Sequence, residues 1–423
     1  MSGDLASLAG GGTVFASGAR EKLERLRAEL EPLVRRYDVV VANPPYMGSG
    51  SLAKWPSEWV KKQYPDEKSD LCTSFIERGF TLSRADGFNA MVTMQSWMFL
   101  GSYEKMRGKI LRNHMIISMA HLGTRAFGAI GGEVVSTTAT VFGNGTADAD
   151  GVYFRLVDMG SEAEKQEGLL EALASSECEW FYRANANGFD SIPGSPIAYW
   201  ASNAMRSAFE SYAPLGSRLV TREGMATANN DRFVRCWFEC SFGRIELNHR
   251  PNDTTLKKWY PYQKGGEYRK WYGNRELVVD WENDGEGILN NYDEHTGRLR
   301  SHNYNGEYAF RSGLTWSSIS SAVIHVRWSP QGELFDSKGA KGFAASDSEA
   351  KYAMALINSS FASEALRILA PTIDFKVGDI IEIPDAGKGI STIAETTRHN
   401  IELAKTDWDS FETSWDYLRH PLI

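Results

Sequence analysis

Asn43-Pro44-Pro45-Tyr46 is the stretch of this 423-residue chain whose residue types converge on one chemistry. The Asn43 side-chain amide oxygen and the Pro44 carbonyl are neighbouring acceptors, suited to a substrate amine whose lone pair is delocalised into an aromatic ring. By accepting that amine's N–H groups they stabilise the positive charge that develops as it attacks an electrophilic methyl group. Pro44 and Pro45 have no N–H to compete, and their fixed φ holds the carbonyl in place. Tyr46 offers a flat face on which a base can stack once it has left a duplex. Neither a metal nor a covalent intermediate is needed. A rigid turn after a buried strand is the plain alternative, but an amide, two prolines and an aromatic ring together at a strand end favour chemistry.

The flanking sequence must position these groups. Val39, Val40, Val41 and Ala42 form an unbroken apolar run that predicts a strand covered on both faces, ended by the prolines. The motif then sits at a strand's C-terminal end, where open α/β sheets bind ligands. Upstream, Ser17 is placed to cap a helix over about residues 19–36, with Leu23, Leu26, Leu30 and Leu33 as a stripe facing the sheet and Pro32 in its last turn. Gly10-Gly11-Gly12 follows no clear strand and lacks the spacing of a cofactor fingerprint, so it reads as a flexible loop. Downstream, Met47–Ser69 reads as a loop with Trp55 and Trp59, either a lid or a segment packed on its own domain. Asp70 reads as the cap of a helix whose buried face begins with Leu71, Phe75 and Ile76, rather than as a catalyst. Strands are expected at 90–94, 116–121 and 134–142, with a helix marked by Tyr103, Met106 and Ile110.

NPPY resembles the catalytic motif of amino-group methyltransferases that use S-adenosyl-L-methionine, above all DNA adenine-N6 enzymes. Protein-glutamine and RNA guanine-N2 methyltransferases share it. The wider text, VVVANPPYMG, SDLCTSFIERGF, AMVTMQSWMFLGSYEKMRGKIL, HLGTRAFGAIGGEVVSTTATVF and TTLKKWYPYQKGGEYRKWYG, resembles PglX-type adenine methyltransferases of BREX phage-defence systems over nearly the whole chain. The resemblance implies an α/β fold: the C-terminal half of a Rossmann-like methyltransferase sheet, followed by an α+β target-recognition domain. It also implies double-stranded DNA and other BREX proteins as partners. It gives catalytic roles to Asn43, Pro44, Pro45 and Tyr46, and suggests Phe127 as the ring stacking on the other face of the extruded base. The alternative for Phe127 is an anchor fixing its loop to the core.

In that family a glycine-rich cofactor motif precedes NPPY by several strands, yet only 42 residues precede Asn43 here. One parallel crossover takes about 30 residues. The expectation is the middle or C-terminal portion of a longer protein, with the main S-adenosyl-L-methionine motif absent from this chain. The leading expectation is a site-specific DNA adenine-N6 methyltransferase, and the alternative is a portion that only binds DNA or partner proteins, without activity of its own.

The small polar run 143–151 predicts the end of the catalytic portion, giving residues 1–150 to the NPPY domain, 151–214 to a helical bridge and 215–423 to target recognition. GMATANNDRF, residues 224–233, resembles the opening of recognition domains in this family. Between Arg244 and Arg275 eight basic residues face three acidic ones, interleaved with aromatic rings. Lys257, Lys258, Trp259, Tyr260, Lys264, Arg269 and Lys270 are the expected DNA-binding residues, a mixed-charge solvated surface being the alternative. Arg298, Arg300, Arg311 and Arg327 are candidates to extend that surface.

Composition frames this reading. A net charge of −8 argues against DNA binding over the whole surface but leaves room for a local basic cleft. The chain lacks any run approaching the roughly 20 apolar residues of a membrane span, and it lacks a signal pattern at its start, so a cytoplasmic protein without membrane contact is expected. Four scattered cysteines do not make a disulfide framework. Cys236 and Cys240, with His249 beyond, read as reduced structural thiols rather than half a zinc site, so no metal is expected. The acidic run Asp280, Glu282, Asp284, Glu286 reads as a solvated turn. The 377 residues after Tyr46 disfavour a protein or RNA methyltransferase, which needs little chain there.

Overall fold

A computed structural model describes residues 14–127, 135–250, 253, 257–319, 323–371, 374–420 and 422. The chain forms two compact units, Met1–Asp190 with Gly194–Trp200, and Ser191–Pro193 with Ala201–Ile423.

The first unit is a mixed α/β layer. Helix α1 (Val14–Val34) leads into strand β1 (Tyr37–Ala42), then helices α2 (Lys54–Gln63) and α3 (Leu71–Leu82). Strand β2 (Ser83–Met94), helix α4 (Glu104–Asn113) and strands β3 (Met115–Gly123), β4 (Thr137–Gly143) and β5 (Asp150–Arg155) follow, with helix α5 (Glu162–Ala174) before strand β6 (Phe181–Asn185). The six strands lie in the order β1-β2-β4-β3-β5-β6. β1 runs parallel to β2 with Ala42 opposite Met91, while β4 is antiparallel to both its neighbours. Trp97, Met98, Tyr103, Met106, Ile110, Met119, Phe142 and Tyr153 fill the core. Arg107 is buried among them. Its guanidinium donates to the carbonyls of Trp97 at 2.9 Å, Leu100 at 2.7 Å and Gly194 at 2.6 Å, so a cation serves as the internal tie for three turns.

Several expectations change here. β1 is not covered on both faces, since Val39 and Val41 are 52% and 73% exposed, and among the described residues it has a strand partner on one side only. The α1 stripe does not cover the sheet either, since Leu23, Leu26, Leu30 and Leu33 are between 44% and 55% exposed. Both readings assumed neighbours that hydrophobicity demands but the described residues do not supply. The segment after NPPY is not all loop, because α2 lies within it. The sheet also continues past residue 150: β5 pairs in parallel with β3, β6 pairs with β5, and α5 packs over them. The stretch expected as a helical bridge therefore contributes its first two strands to the first unit.

The second unit is α+β. One sheet joins Leu219–Arg222, Lys341–Ala344, Gly313–Trp316 and Val326–Ser329, and it packs against helices Asp347–Ile357 and Ile390–Trp408 around Leu314, Trp316, Met354 and Ile401. A second joins Val234–Cys236, Leu277–Asp280, Trp259–Gln263 and Leu334–Phe335.

Candidate active site

Asn43 follows β1 directly, at the C-terminal rim of the sheet. Its side chain is exposed, Pro44 is buried beneath it and Tyr46 is half-buried. The Tyr46 hydroxyl donates to Asn43 Oδ1 at 3.0 Å. That bond fixes which way the carboxamide faces and leaves the oxygen a second lone pair. Burial, with the Cys72 thiol nearby, pushes the Tyr46 phenol up to about 12, so it stays a hydrogen-bond donor at neutral pH.

A clamp holds the chain beyond the motif. Asp70 caps α3 by accepting from the Cys72 N–H at 2.9 Å, and the same oxygen accepts from the Met47 N–H at 3.2 Å. Backbone bonds from Leu71 N to Met47 O (2.9 Å) and from Ser49 N to Ser69 O (3.0 Å) flank it. Asp70 is thus a cap, as its position before Leu71 predicts, and it also pins the exit of NPPY. That second role carries no sequence signal, because it joins residues 23 positions apart. Cys72 is fully buried, and burial beside Asp70 pushes its thiol far up, so it is inert packing.

Phe127 is half-buried in the segment after β3. Gly123 ends that strand at φ 65°, where a side chain would lie within 3.1 Å of Val157, so only glycine makes the turn. The rest of the glycine-rich loop, residues 128–134, lies outside the described residues.

The expected DNA-binding strip has a different environment from the one its composition suggests. Lys258 pairs with Asp280 at 2.9 Å and Glu282 at 3.3 Å, Lys264 with Asp336 at 2.8 Å and Arg269 with Asp407 at 2.8 Å. Lys257 donates to the Ile245 carbonyl at 2.9 Å and lies 3.6 Å from Glu246, and Lys270 donates to the Asn358 carbonyl at 2.7 Å. Tyr260 lies in the core and has no free face for a base, while Trp259 is half-buried beneath Lys258. Arg327 is wholly buried. Two members of the acidic run thus serve as partners for Lys258. Exposed cations and rings lie elsewhere in this unit: Arg298 and Arg300, with Tyr292 and with Tyr304, which stacks on His302 at 5.3 Å between centroids.

With this geometry in place, known proteins were compared. Residues 19–127 match the family of Eco57I restriction-modification methylases. The chain is 43% identical over 93% of its length to the adenine-specific methyltransferase PglX of Lacticaseibacillus casei (strain Zhang). It is a relative of the PglX-type methyltransferases. The adenine-specific methyltransferase BrxX of Escherichia coli O9:H4 (strain HS) is 40% identical over 92% of the chain. The chain spans about a third of these relatives, 34% and 31% of their lengths. Among solved structures, the Type IIL restriction-modification enzyme MmeI in complex with DNA aligns over 90% of this chain and 50% of its own, with TM-score 0.58 at 10% identity. The Type ISP enzyme LlaGI, with a DNA substrate mimic, aligns over 90% and 42%, with TM-score 0.52 at 12% identity. The fold is therefore that of restriction-modification methyltransferases, with a further α+β unit after the sheet.

Proposed function

We propose that this chain carries the methyl-acceptor side and the target-recognition unit of a DNA adenine-N6 methyltransferase acting in phage defence. The observation that carries the reading is the exposed Asn43 carboxamide at the sheet's C-terminal rim, oriented by Tyr46 and set above buried Pro44. An extruded adenine stacks on Tyr46, with Phe127 on its other face. Its amine donates one N–H to the free lone pair of Asn43 Oδ1 and the other to the Pro44 carbonyl. Both bonds strengthen as the nitrogen gains positive charge, which is the condition for lowering a barrier rather than tightening binding.

The groups described above act on the methyl acceptor, and S-adenosyl-L-methionine would supply the electrophilic methyl group when bound. The bare edge of β1, with exposed Val39 and Val41, lies where further parallel strands would extend the sheet toward a cofactor site. What this chain's own groups do is confined to the acceptor: they hold the base, orient the amine and stabilise its developing charge.

Duplex DNA is the proposed partner of the second unit. Exposed Arg298, and exposed Arg300 with its long 3.9 Å pairing to Asp293, are more accessible to phosphates than the strip at 257–270, whose charged heads make closer internal contacts. The test is methyl transfer by the full-length protein from radiolabelled S-adenosyl-L-methionine to duplex DNA. N6-methyladenine is the expected product, and label appearing only in protein or RNA would reject the proposal.

A further inference from the structure

We propose that Gln95 is an additional base-contacting residue, which presents its side-chain N–H groups to a ring nitrogen of the extruded adenine. His121 and Tyr199 are positioning residues that hold it in that orientation. The proposal rests on the methyl-acceptor reading above and extends it from the amine to the ring.

Gln95 follows the last residue of β2, the strand beside β1, and so stands on the same rim as Asn43. Its backbone N–H donates to the Ser136 carbonyl at 2.9 Å, which ties it to the entry of β4. The preceding residue, Met94, shares a backbone hydrogen bond with the Cys72 thiol, and that thiol lies close enough to Tyr46 to raise its phenol. Gln95 therefore stands between the NPPY side of the rim and the end of β3, from which the Phe127 segment departs.

The side-chain network sets what Gln95 can offer. His121 on β3 is 4% exposed, with Nε2 2.8 Å from Gln95 Oε1 and Nδ1 2.9 Å from the Tyr199 hydroxyl. An amide oxygen only accepts, so Nε2 carries the proton and Nδ1 accepts from Tyr199. Tyr199 is itself 2% exposed and stacks on Tyr153 at 4.6 Å, so the far end of the relay is fixed in the core. Burial, with Arg155 and Lys165 nearby, holds His121 neutral, which keeps this single-proton arrangement. With its oxygen bound inward, half-exposed Gln95 turns its NH2 outward, and that nitrogen has no hydrogen-bond partner among the described residues.

His121 is bonded at both nitrogens, to Tyr199 in the core and to half-exposed Gln95. Here one bond immobilises a long side chain at the surface, against about 1.5–2 kcal/mol of rotamer entropy. The outcome is a fixed donor pair beside two fixed acceptors, Asn43 Oδ1 and the Pro44 carbonyl. Adenine presents the complementary pattern, an amine flanked by the acceptors N1 and N7.

The test uses the full-length protein and duplexes in which the target adenine is replaced by 1-deazaadenine or 7-deazaadenine. Wild-type protein is expected to lose at least about tenfold in kcat/KM on one of the two analogues. Gln95→Ala should lose a similar factor on adenine, yet methylate that analogue and adenine within about twofold of each other. Gln95→Glu, which swaps donors for acceptors, should do no better on adenine than Gln95→Ala. His121→Phe should lower kcat/KM for adenine and erase the same discrimination, with thermal unfolding followed in parallel. An undiminished analogue penalty in Gln95→Ala, or no penalty in wild type, would overturn the inference while leaving methyl transfer intact. Absence of any transfer to DNA by wild type would instead remove the reading beneath it.

Discussion

Replacing Asp70 separates a structural clamp from a catalytic carboxylate. Asp70→Ala removes a helix cap worth about 1 kcal/mol and a partly exposed bond to the Met47 N–H worth about 0.5–1 kcal/mol. The combined loss of about 2 kcal/mol should lower the melting temperature of the first unit by roughly 4–8 °C. Backbone bonds from Leu71 and Ser49 remain, so the unit should stay folded while the exit of NPPY loosens. Displacement of Tyr46 by a fraction of an ångström should then cost between about threefold and 100-fold in methyl transfer. Asp70→Asn keeps the accepting oxygen and should retain both stability and rate within about threefold. Calorimetry and single-turnover methylation by the full-length protein give the two readouts. An Asn variant as inactive as the Ala variant, with a wild-type melting temperature, would make Asp70 a participant in the chemistry and refute the clamp.

Four further outcomes are expected. Tyr46→Phe keeps the stacking ring but frees the Asn43 amide, so turnover should fall about fivefold to tenfold; Tyr46→Ala should also weaken base stacking by about 1–3 kcal/mol, read by 2-aminopurine fluorescence at the target position. Arg107→Met leaves the carbonyls of Trp97, Leu100 and Gly194 without their buried donor and should destabilise by at least about 3 kcal/mol in urea unfolding. His121 is held down to about 3 by burial, against an ordinary value of 6.5, so the unfolded chain takes up a proton that the native one refuses. Its contribution is complete above pH 6.5 and is lost as pH falls toward 3, at up to about 1.4 kcal/mol per pH unit, and His121→Gln should remove that slope. Arg298→Ala with Arg300→Ala should reduce the salt slope of DNA binding by about 1.8, whereas Lys257→Ala with Lys258→Ala should leave it nearly unchanged, because those ammonium groups are already engaged.

Local signals in the sequence were sound where the physics is local. The strand before Asn43, the Asp70 cap and the amphipathic helix carrying Met106 and Ile110 follow from residue order alone. What lies against each element is a long-range matter, and there the pattern misleads. Four valine and alanine positions before NPPY look doubly buried, yet among the described residues β1 is an edge strand with Val39 and Val41 exposed. The partners of Lys258, Lys264 and Arg269, namely Asp280, Asp336 and Asp407, come from distant sequence and could not be read from the strip itself. The Gln95 network had no sequence signal, since it joins His121 and Tyr199, 26 and 104 positions away. The turn after β1 was legible because Pro44 and Pro45 carry their backbone geometry with them.

The most direct measurement is Asn43→Ala in the full-length protein, with methyl transfer and DNA retention measured on the same duplex. A fall of about 100-fold to 1000-fold in turnover, with DNA affinity within about twofold of wild type, is the predicted result for a transition-state acceptor. Equal loss of binding and turnover would mean that Asn43 shapes a turn rather than the reaction.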